Sequence, residues 1–206
     1  LTEKVLRLNP PGGIFDSTDF SGNRDDGIDL NSNVKVRVIN STIRNNHDDG
    51  VEFRLYPYTG TLAHLEFIGN QITGNGEDGI QFIDYDGLSN RILHVERNLF
   101  SGNVMAAVGC MAGGNTVEDF SGAPMEEQVL LFNNTFSGNG YGFVGGASVV
   151  ALNNIFANTQ QSALRRVGGN STAAYNLFWN NLLDYEASNV AAPNVFQDPL
   201  LDASFG

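Results

Sequence analysis

Residues 46–54, with the sequence NHDDGVEFR, decide the fold, because related stretches stand on either side of them. The upstream copy is NRDDGIDL at residues 23–30, and the downstream copy is NGEDGIQF at residues 75–82. Self-similarity at a period of about 20 to 50 residues is typical of solenoid proteins, whose units bury their apolar sides against neighbouring units. We therefore predict a repeat protein.

The repeat extends along the chain as an aromatic residue or Ile followed three residues later by Asn. Its anchor pairs are Phe20/Asn23, Ile43/Asn46, Ile72/Asn75, Phe100/Asn103 and Phe136/Asn139, followed by degenerate copies at Phe156 and Phe178. Within each unit the apolar residues alternate with a period of two, as in Val34, Val36 and Val38, which indicates short strands. Asn-Gly and Asp-Gly turns separate these strands. The pattern predicts an all-β fold, a single-stranded, right-handed parallel β-helix of about seven to eight rungs with about three strands per turn.

Composition favours one domain spanning residues 1–206, with 1–17 as a partial first rung containing a strand candidate at Val5–Leu8, and with 186–206 as a closing segment. The single cysteine, Cys110, excludes an intrachain disulfide. A net charge of −12 with only 11 basic residues argues against nucleic acid as a partner. No apolar run approaches the length of a membrane span, so we expect no membrane partner.

The repeat unit N-x-[FI]-x-x-N-x-x-D-G-[IV] resembles the repeats of pectate-lyase-like right-handed parallel β-helices, a group of carbohydrate-binding proteins and sugar hydrolases. The resemblance covers about residues 18 to 185, and the segment 196–201, FQDPLL, resembles a closing segment of that group. It implies the fold and a carbohydrate ligand but no particular reaction. Polygalacturonase-type motifs are missing, since Arg91-Ile92-Leu93 lacks the lysine of the R-I-K motif.

Alternation along the strands predicts which side chains face the interior. These are Ile28, Val51, Ile80, Val108, Val144 and Leu164, together with Leu30, Phe53, Phe82 and Cys110. The anchor asparagines should form a ladder at a turn, where Asn hydrogen-bonds to neighbouring backbone.

Two stacks of acidic residues accompany the asparagine ladder. One contains Asp25, Asp48 and Glu77, and the other contains Asp26, Asp49 and Asp78. Like charges at strand spacing repel unless solvent, hydrogen bonds or a cation relieve them. One interpretation is a structural role in the turns. The other is a Ca²⁺ site with ligands Asp25, Asp48, Asp49, Glu77 and Asp78, since Ca²⁺ prefers carboxylate and carbonyl oxygens.

Outward positions on the same strands carry Asp29, Glu52, Gln81 and Arg54. Extra sequence follows this strand in three successive rungs, at residues 55–60, 83–87 and 113–127. Insertions at one register of a solenoid project from one side, often the binding face, so they should wall a cleft beside these outward residues. Tyrosines there could lie against sugar rings. The predicted substrate-binding residues are Tyr56, Tyr58, Gln81, Tyr85 and His47.

Glycoside hydrolysis needs two carboxyl groups about 5 to 9.5 Å apart, which residues on adjacent rungs can provide. Glu52 with Asp84 is the predicted pair, and Arg54 completes the predicted catalytic set. The alternative is a structural ion pair of Glu52 with Arg54. In a lyase, Arg54 would bind a uronate and His47, Tyr58 or Tyr85 would act as base. The negative net charge ranks lyase below hydrolase.

The sequence thus favours a secreted or cell-surface protein that acts on a polysaccharide or oligosaccharide in a cleft on rungs two to four. The competing hypothesis is a non-catalytic glycan-binding or structural module, with other domains of a longer chain as partners. Catalysis requires groups held within about 0.5 Å of productive geometry, whereas a binding module requires only aromatic and hydrogen-bonding side chains.

Overall fold

Three parallel sheets run the length of the molecule in the computed structural model, which describes residues 12–31, 34–85, 87–117 and 120–202. The first four turns contain β1 (Gly13–Asp16), β2 (Asp19–Ser21), β3 (Ile28–Leu30), β4 (Val36–Ile39), β5 (Thr42–Arg44), β6 (Val51–Arg54), β7 (Ala63–Ile68), β8 (Gln71–Thr73), β9 (Ile80–Ile83), β10 (Arg91–Glu96), β11 (Leu99–Ser101) and β12 (Ala106–Met111). The remaining turns contain β13 (Gln128–Phe132), β14 (Thr135–Ser137), β15 (Tyr141–Val144), β16 (Val149–Leu152), β17 (Ile155–Ala157), β18 (Ser162–Arg165), β19 (Thr172–Ala174), β20 (Leu177–Trp179), β21 (Leu183–Glu186) and β22 (Val195–Phe196).

Each turn contributes one strand to each sheet, in a fixed order. The first strand of every turn joins sheet A (β1 to β19), the second joins sheet B (β2 to β20, then β22), and the third joins sheet C (β3 to β21). Every strand pairs in parallel with its equivalent one turn away, as Glu52 of β6 does with Gln81 of β9. The described residues therefore form a parallel β-helix of seven turns, as the repeat predicted. The strand candidate at Val5–Leu8 lies outside the described residues.

The interior is a continuous apolar column. On sheet B, Phe100, Phe136, Phe156 and Phe178 stack with ring centroids 5.0, 4.6 and 5.4 Å apart. Phe196 of the closing strand continues the stack at 5.7 Å from Phe178. These are the anchors of the sequence repeat, which confirms that the repeat marks one register of the coil.

Asparagine ladders satisfy the buried backbone at two corners of the coil. At the predicted ladder, Oδ1 of Asn75 accepts hydrogen bonds from the backbone N–H and the side-chain amide of Asn46, at 3.2 and 2.9 Å. Oδ1 of Asn103 does the same for Asn75, which confirms the ladder. A second ladder, which the sequence analysis did not assign, contains Asn70, Asn98, Asn134, Asn154 and Asn176.

The glycine of the Asp-Gly pair permits the close approach of successive turns. A Cβ on Gly50 would lie 2.5 Å from the carbonyl oxygen of Gly79, and one on Gly79 would lie 2.6 Å from that of Ala107. At this corner two consecutive residues face inward, Gly50 towards Ile72 and Val51 towards the core. The strict alternation of inward and outward residues is therefore interrupted at this corner.

One interior assignment was wrong. Val108 pairs with Phe143, and Gly109 pairs with Val144, so Phe143 faces the core and Val144 faces outward.

No helix in the described part of the chain is long and apolar enough to span a membrane.

Candidate functional site

The outer face of sheet C carries three of the predicted site residues, Glu52, Arg54 and Gln81. The register aligns Asp29, Glu52, Gln81 and Gly109 in one outward row across β3, β6, β9 and β12. Because two residues face inward at the preceding corner, Asp26 also lies on the outer side of this face. We call Asp26, Asp29, Asn31, Glu52 and Arg54 the carboxyl pocket.

Arg54 holds the pocket together. Its guanidinium lies 2.7 Å from Oε1 of Glu52 and 3.5 Å from Oδ1 of Asp29, and it donates a hydrogen bond to Oδ1 of Asn31. The amide of Asn31 in turn donates to Asp29 at 2.5 Å. Two carboxylates thus share the charge of Arg54, which fixes the direction of the Glu52 side chain.

Two carboxyl groups of the pocket titrate near neutrality. Burial raises the pKa of Glu52 to about 7 against the opposing charge of Arg54, and the charges of Asp29 and Asp25 raise it further. Burial also raises the pKa of Asp26 to about 7, with Glu52 as the next cause, although Asp26 accepts the N–H of Asp49. The charge of Glu52 thus acts on the titration of Asp26, whereas the charges that act on Glu52 are those of Arg54, Asp29, Asp25 and Asp48.

A stability measurement can test this titration. Asp26 binds a proton more tightly in the folded protein than in the unfolded chain, so its contribution to stability falls as pH rises from about 4 to above 7. The variant Asp26→Asn cannot ionise and should therefore become increasingly more stable than the wild type between pH 4 and pH 8. Urea unfolding at several pH values measures the difference. Asp19→Asn, at an exposed carboxyl group of the same turn, is the control, and a constant Asp26→Asn difference would contradict the assignment.

The residues of the predicted calcium site divide between two stacks. Asp49 and Asp78 are buried, and their Oδ1 atoms accept backbone N–H groups of the next turn, from Asp78 at 2.7 Å and from Ala106 at 2.6 Å. A Cβ on Gly109 would lie 2.1 Å from Oδ2 of Asp78, so only glycine fits beside this carboxylate. This hydrogen bonding supports a structural role for this stack, and Asp26 makes the same hydrogen bond to the N–H of Asp49.

The outer stack lies nearer to solvent. His47 is exposed, and its Nδ1 lies 2.6 Å from Oδ1 of Asp48, which raises the pKa of His47. Burial raises the pKa of Glu77, and the charges of Asp48 and Asp25 raise it further. Among the described residues no group of three or more His, Cys, Asp or Glu side chains could hold a metal ion. The calcium site stays a prediction, and no step proposed below uses it.

Aromatic side chains border the pocket where β6 and β9 end. The rings of Tyr56 and Tyr85 stack with centroids 4.2 Å apart, and burial together with a hydrogen bond to Tyr56 raises the pKa of Tyr85 to about 12. The charges of Arg54 and Glu52 also act on the pKa of Tyr85. Tyr58 instead lies against Arg91, whose guanidinium is 5.3 Å from its ring.

Asp84 directly follows β9, and its pairing with Glu52 stays a prediction. Leu55 donates its N–H to Ile83 and Asp84 donates its N–H to Met111, so Asp84 occupies the register of the buried Leu55. Burial raises the pKa of the Cys110 thiol, and among charges that of Asp84 raises it most. The carboxyl group whose pKa responds to Glu52 is Asp26. In the sequence, Asp26 belongs to an Asp-Gly pair of the repeat, and this pair was interpreted as a turn.

The first described part of the third insertion lies on the outer side of sheet C beyond the pocket, whereas Ala123 and Met125 lie in the core. We call residues 112–117 and 120–122 the roof segment. Gly114 donates its N–H to the carbonyl of Asp84 at 2.9 Å, and a Cβ on Gly114 would lie 2.8 Å from the Tyr85 ring. Phe120 stacks on Tyr141 at 4.6 Å. The insertion thus lies over turns three to five, and Gln81, predicted to bind substrate, is fully buried there.

The coil and its outward carboxyl pocket define a parallel β-helix protein with one acidic, aromatic-bordered site. A family model described as "Right handed beta helix region" matches residues 6–122. The chain belongs to this right-handed β-helix family. No curated protein matches. Among solved structures, one titled "Crystal structure of pectate lyase Pel9A" is similar, with 16% identity and a TM-score of 0.43 over 94% of this chain. The chain spans about half of that protein, 53%.

Proposed function

We propose that this protein is a glycoside hydrolase that cleaves a polysaccharide at the carboxyl pocket. The observation that carries the proposal is the pair Asp26 and Glu52, two partly buried carboxyl groups on adjacent turns whose pKa values are both raised to about 7. Glycosidases require one protonated and one ionised carboxyl group on either side of the scissile bond. Such a pair supplies both forms at neutral pH.

The contacts of the pair assign the two roles. Arg54, 2.7 Å from Glu52, favours the ionised form of Glu52, which then acts as the carboxylate that attacks the sugar or activates water. Asp26 holds the proton and protonates the leaving oxygen. The stacked Tyr56 and Tyr85 offer an apolar edge for a sugar ring. Because its substrate is a polymer, we place the protein outside the cell or on its surface.

The charges of the pocket favour a neutral substrate. The lyase mechanism needs a cation to neutralise a uronate, and Arg54 is already paired with Glu52 and Asp29. A uronate in the pocket would meet Asp26 and Asp29 as well as the negative net charge of the chain. We therefore propose a neutral polysaccharide and not a polyuronate.

Incubation with xylan, mannan, galactan, arabinan, mixed-linkage glucan and polygalacturonate tests the proposal. New reducing ends should accumulate on at least one neutral polymer, without the ultraviolet absorbance of an unsaturated uronate. Release of unsaturated product from polygalacturonate would show a lyase. Retardation in polysaccharide-containing gels without any cleavage would show the competing function, a non-catalytic binding module.

A further inference from the structure

The outward row of sheet C becomes more buried along the coil, from Asp29, whose side chain is 22% exposed, to Glu52, which is 7% exposed. Outward residues Gln81 and Ile83 of turn three are 0% exposed, and Met111 of turn four is 2% exposed. Outward side chains on sheet A of the same turns remain accessible, since Glu66 and His94 are each 22% exposed. The parallel sheet itself does not bury an outward side chain, so the burial on sheet C comes from the insertions that cover it.

Contacts tie the roof segment to turns three, five and six. At its start, Gly114 donates its N–H to the carbonyl of Asp84 in turn three. Gly114 also approaches the ring of Tyr85 closely. The roof segment continues to turn five, where Phe120 stacks on Tyr141. It ends near turn six, where the guanidinium of Arg166 donates a hydrogen bond to the carbonyl of Ser121.

The pocket is therefore bounded on two sides. The roof segment closes it in the direction of the later turns, and the stacked Tyr56 and Tyr85 close it where β6 ends. In the described part of the first turn, Asp25 is exposed, and Asp26 and Asn31 are partly exposed. Successive turns are about 4.8 Å apart, so a glycan lying along the coil would meet the roof about one turn beyond Glu52.

We infer that the roof segment makes this protein act at the ends of glycan chains and not at internal bonds. The inference rests on the hydrolase proposed above. A chain that runs through the pocket along the coil would have to displace the buried contacts of the roof segment. A chain end needs only the space over Asp26, Asp29 and Glu52, and its ring would lie against the edge of the tyrosine pair.

The product pattern on the neutral polymers named above tests the inference. Chain-end action should release one small product from the first time point, with little fall in viscosity for each bond cut. A ladder of intermediate oligosaccharides with a steep fall in viscosity would overturn the inference and leave the hydrolase proposal intact. Absence of cleavage on every polymer would overturn both.

The variant Phe120→Ala examines the roof directly, since it removes the ring that stacks on Tyr141. We expect the single-product pattern to be lost and intermediate oligosaccharides to appear. Tyr175→Ala, which removes an aromatic ring that is 61% exposed, is the matched control and should keep the wild-type pattern. Limited digestion with thermolysin shows whether the roof has loosened. A loosened roof with an unchanged single-product pattern would overturn its role.

Discussion

Replacing Glu52 with glutamine should abolish polysaccharide hydrolysis while the coil stays folded. Glutamine has the same shape and can still accept a hydrogen bond from Arg54, but it can neither ionise nor take up a proton. Positioned acid and base groups contribute about 10² to 10⁴-fold to rate, so we expect kcat to fall at least about a hundredfold. The rate of appearance of reducing ends on the cleaved neutral polymer measures this loss.

Glu66→Gln is the matched control, because Glu66 makes a 2.5 Å ion pair with Arg37 on sheet A, away from the pocket. It should leave the rate unchanged. Full turnover by Glu52→Gln would contradict the site assignment. Asp26→Asn should also lower kcat, and the pH profile of its residual activity should lose the limb that reports the second carboxyl group.

The sequence predicted the fold in detail because every unit of a solenoid contains the residues that align it with the neighbouring units. The anchor at Phe136 and the ladder at Asn103 recur because each must meet an equivalent residue one turn away, and the structure confirms both. The second ladder, through Asn98 and Asn134, stands two residues before the anchors within the quoted motif. Its role was missed because Asn before a strand is also an ordinary turn residue.

The site was only partly predictable, and one corner explains why. Alternation assigns one inward residue for each outward residue, but Gly50 and Val51 both face inward where sheet B meets sheet C. Asp26 therefore lies on the outer side with Glu52, although strict alternation does not predict an outward position for Asp26. Asp84 was chosen from the loops, whose paths depend on tertiary contacts. The same limit applies to the third insertion, whose expected role as a cleft wall stays a prediction.

Replacing Phe136 with alanine should destabilise the protein more than any surface change. Phe136 is fully buried and lies between two parallel rings, 5.0 Å from Phe100 and 4.6 Å from Phe156. Removing a buried phenylalanine costs about 3 to 5 kcal/mol, a large part of the stability of a typical domain. Loss of the stacking geometry adds to that cost. Urea unfolding followed by circular dichroism measures the free energy of unfolding.

Phe132→Ala is the matched control for this measurement, because Phe132 belongs to the same turn but faces outward from sheet A and is only partly buried. We expect its cost to be well below that of Phe136→Ala. Equal losses of unfolding free energy for the two variants would mean that the phenylalanine stack does not account for the stability of the core. In a solenoid each turn contacts only its neighbours, so a gap at Phe136 weakens the interfaces on both of its sides. The unfolding transition of Phe136→Ala should therefore broaden as well as shift, since the turns before and after the gap can then separate.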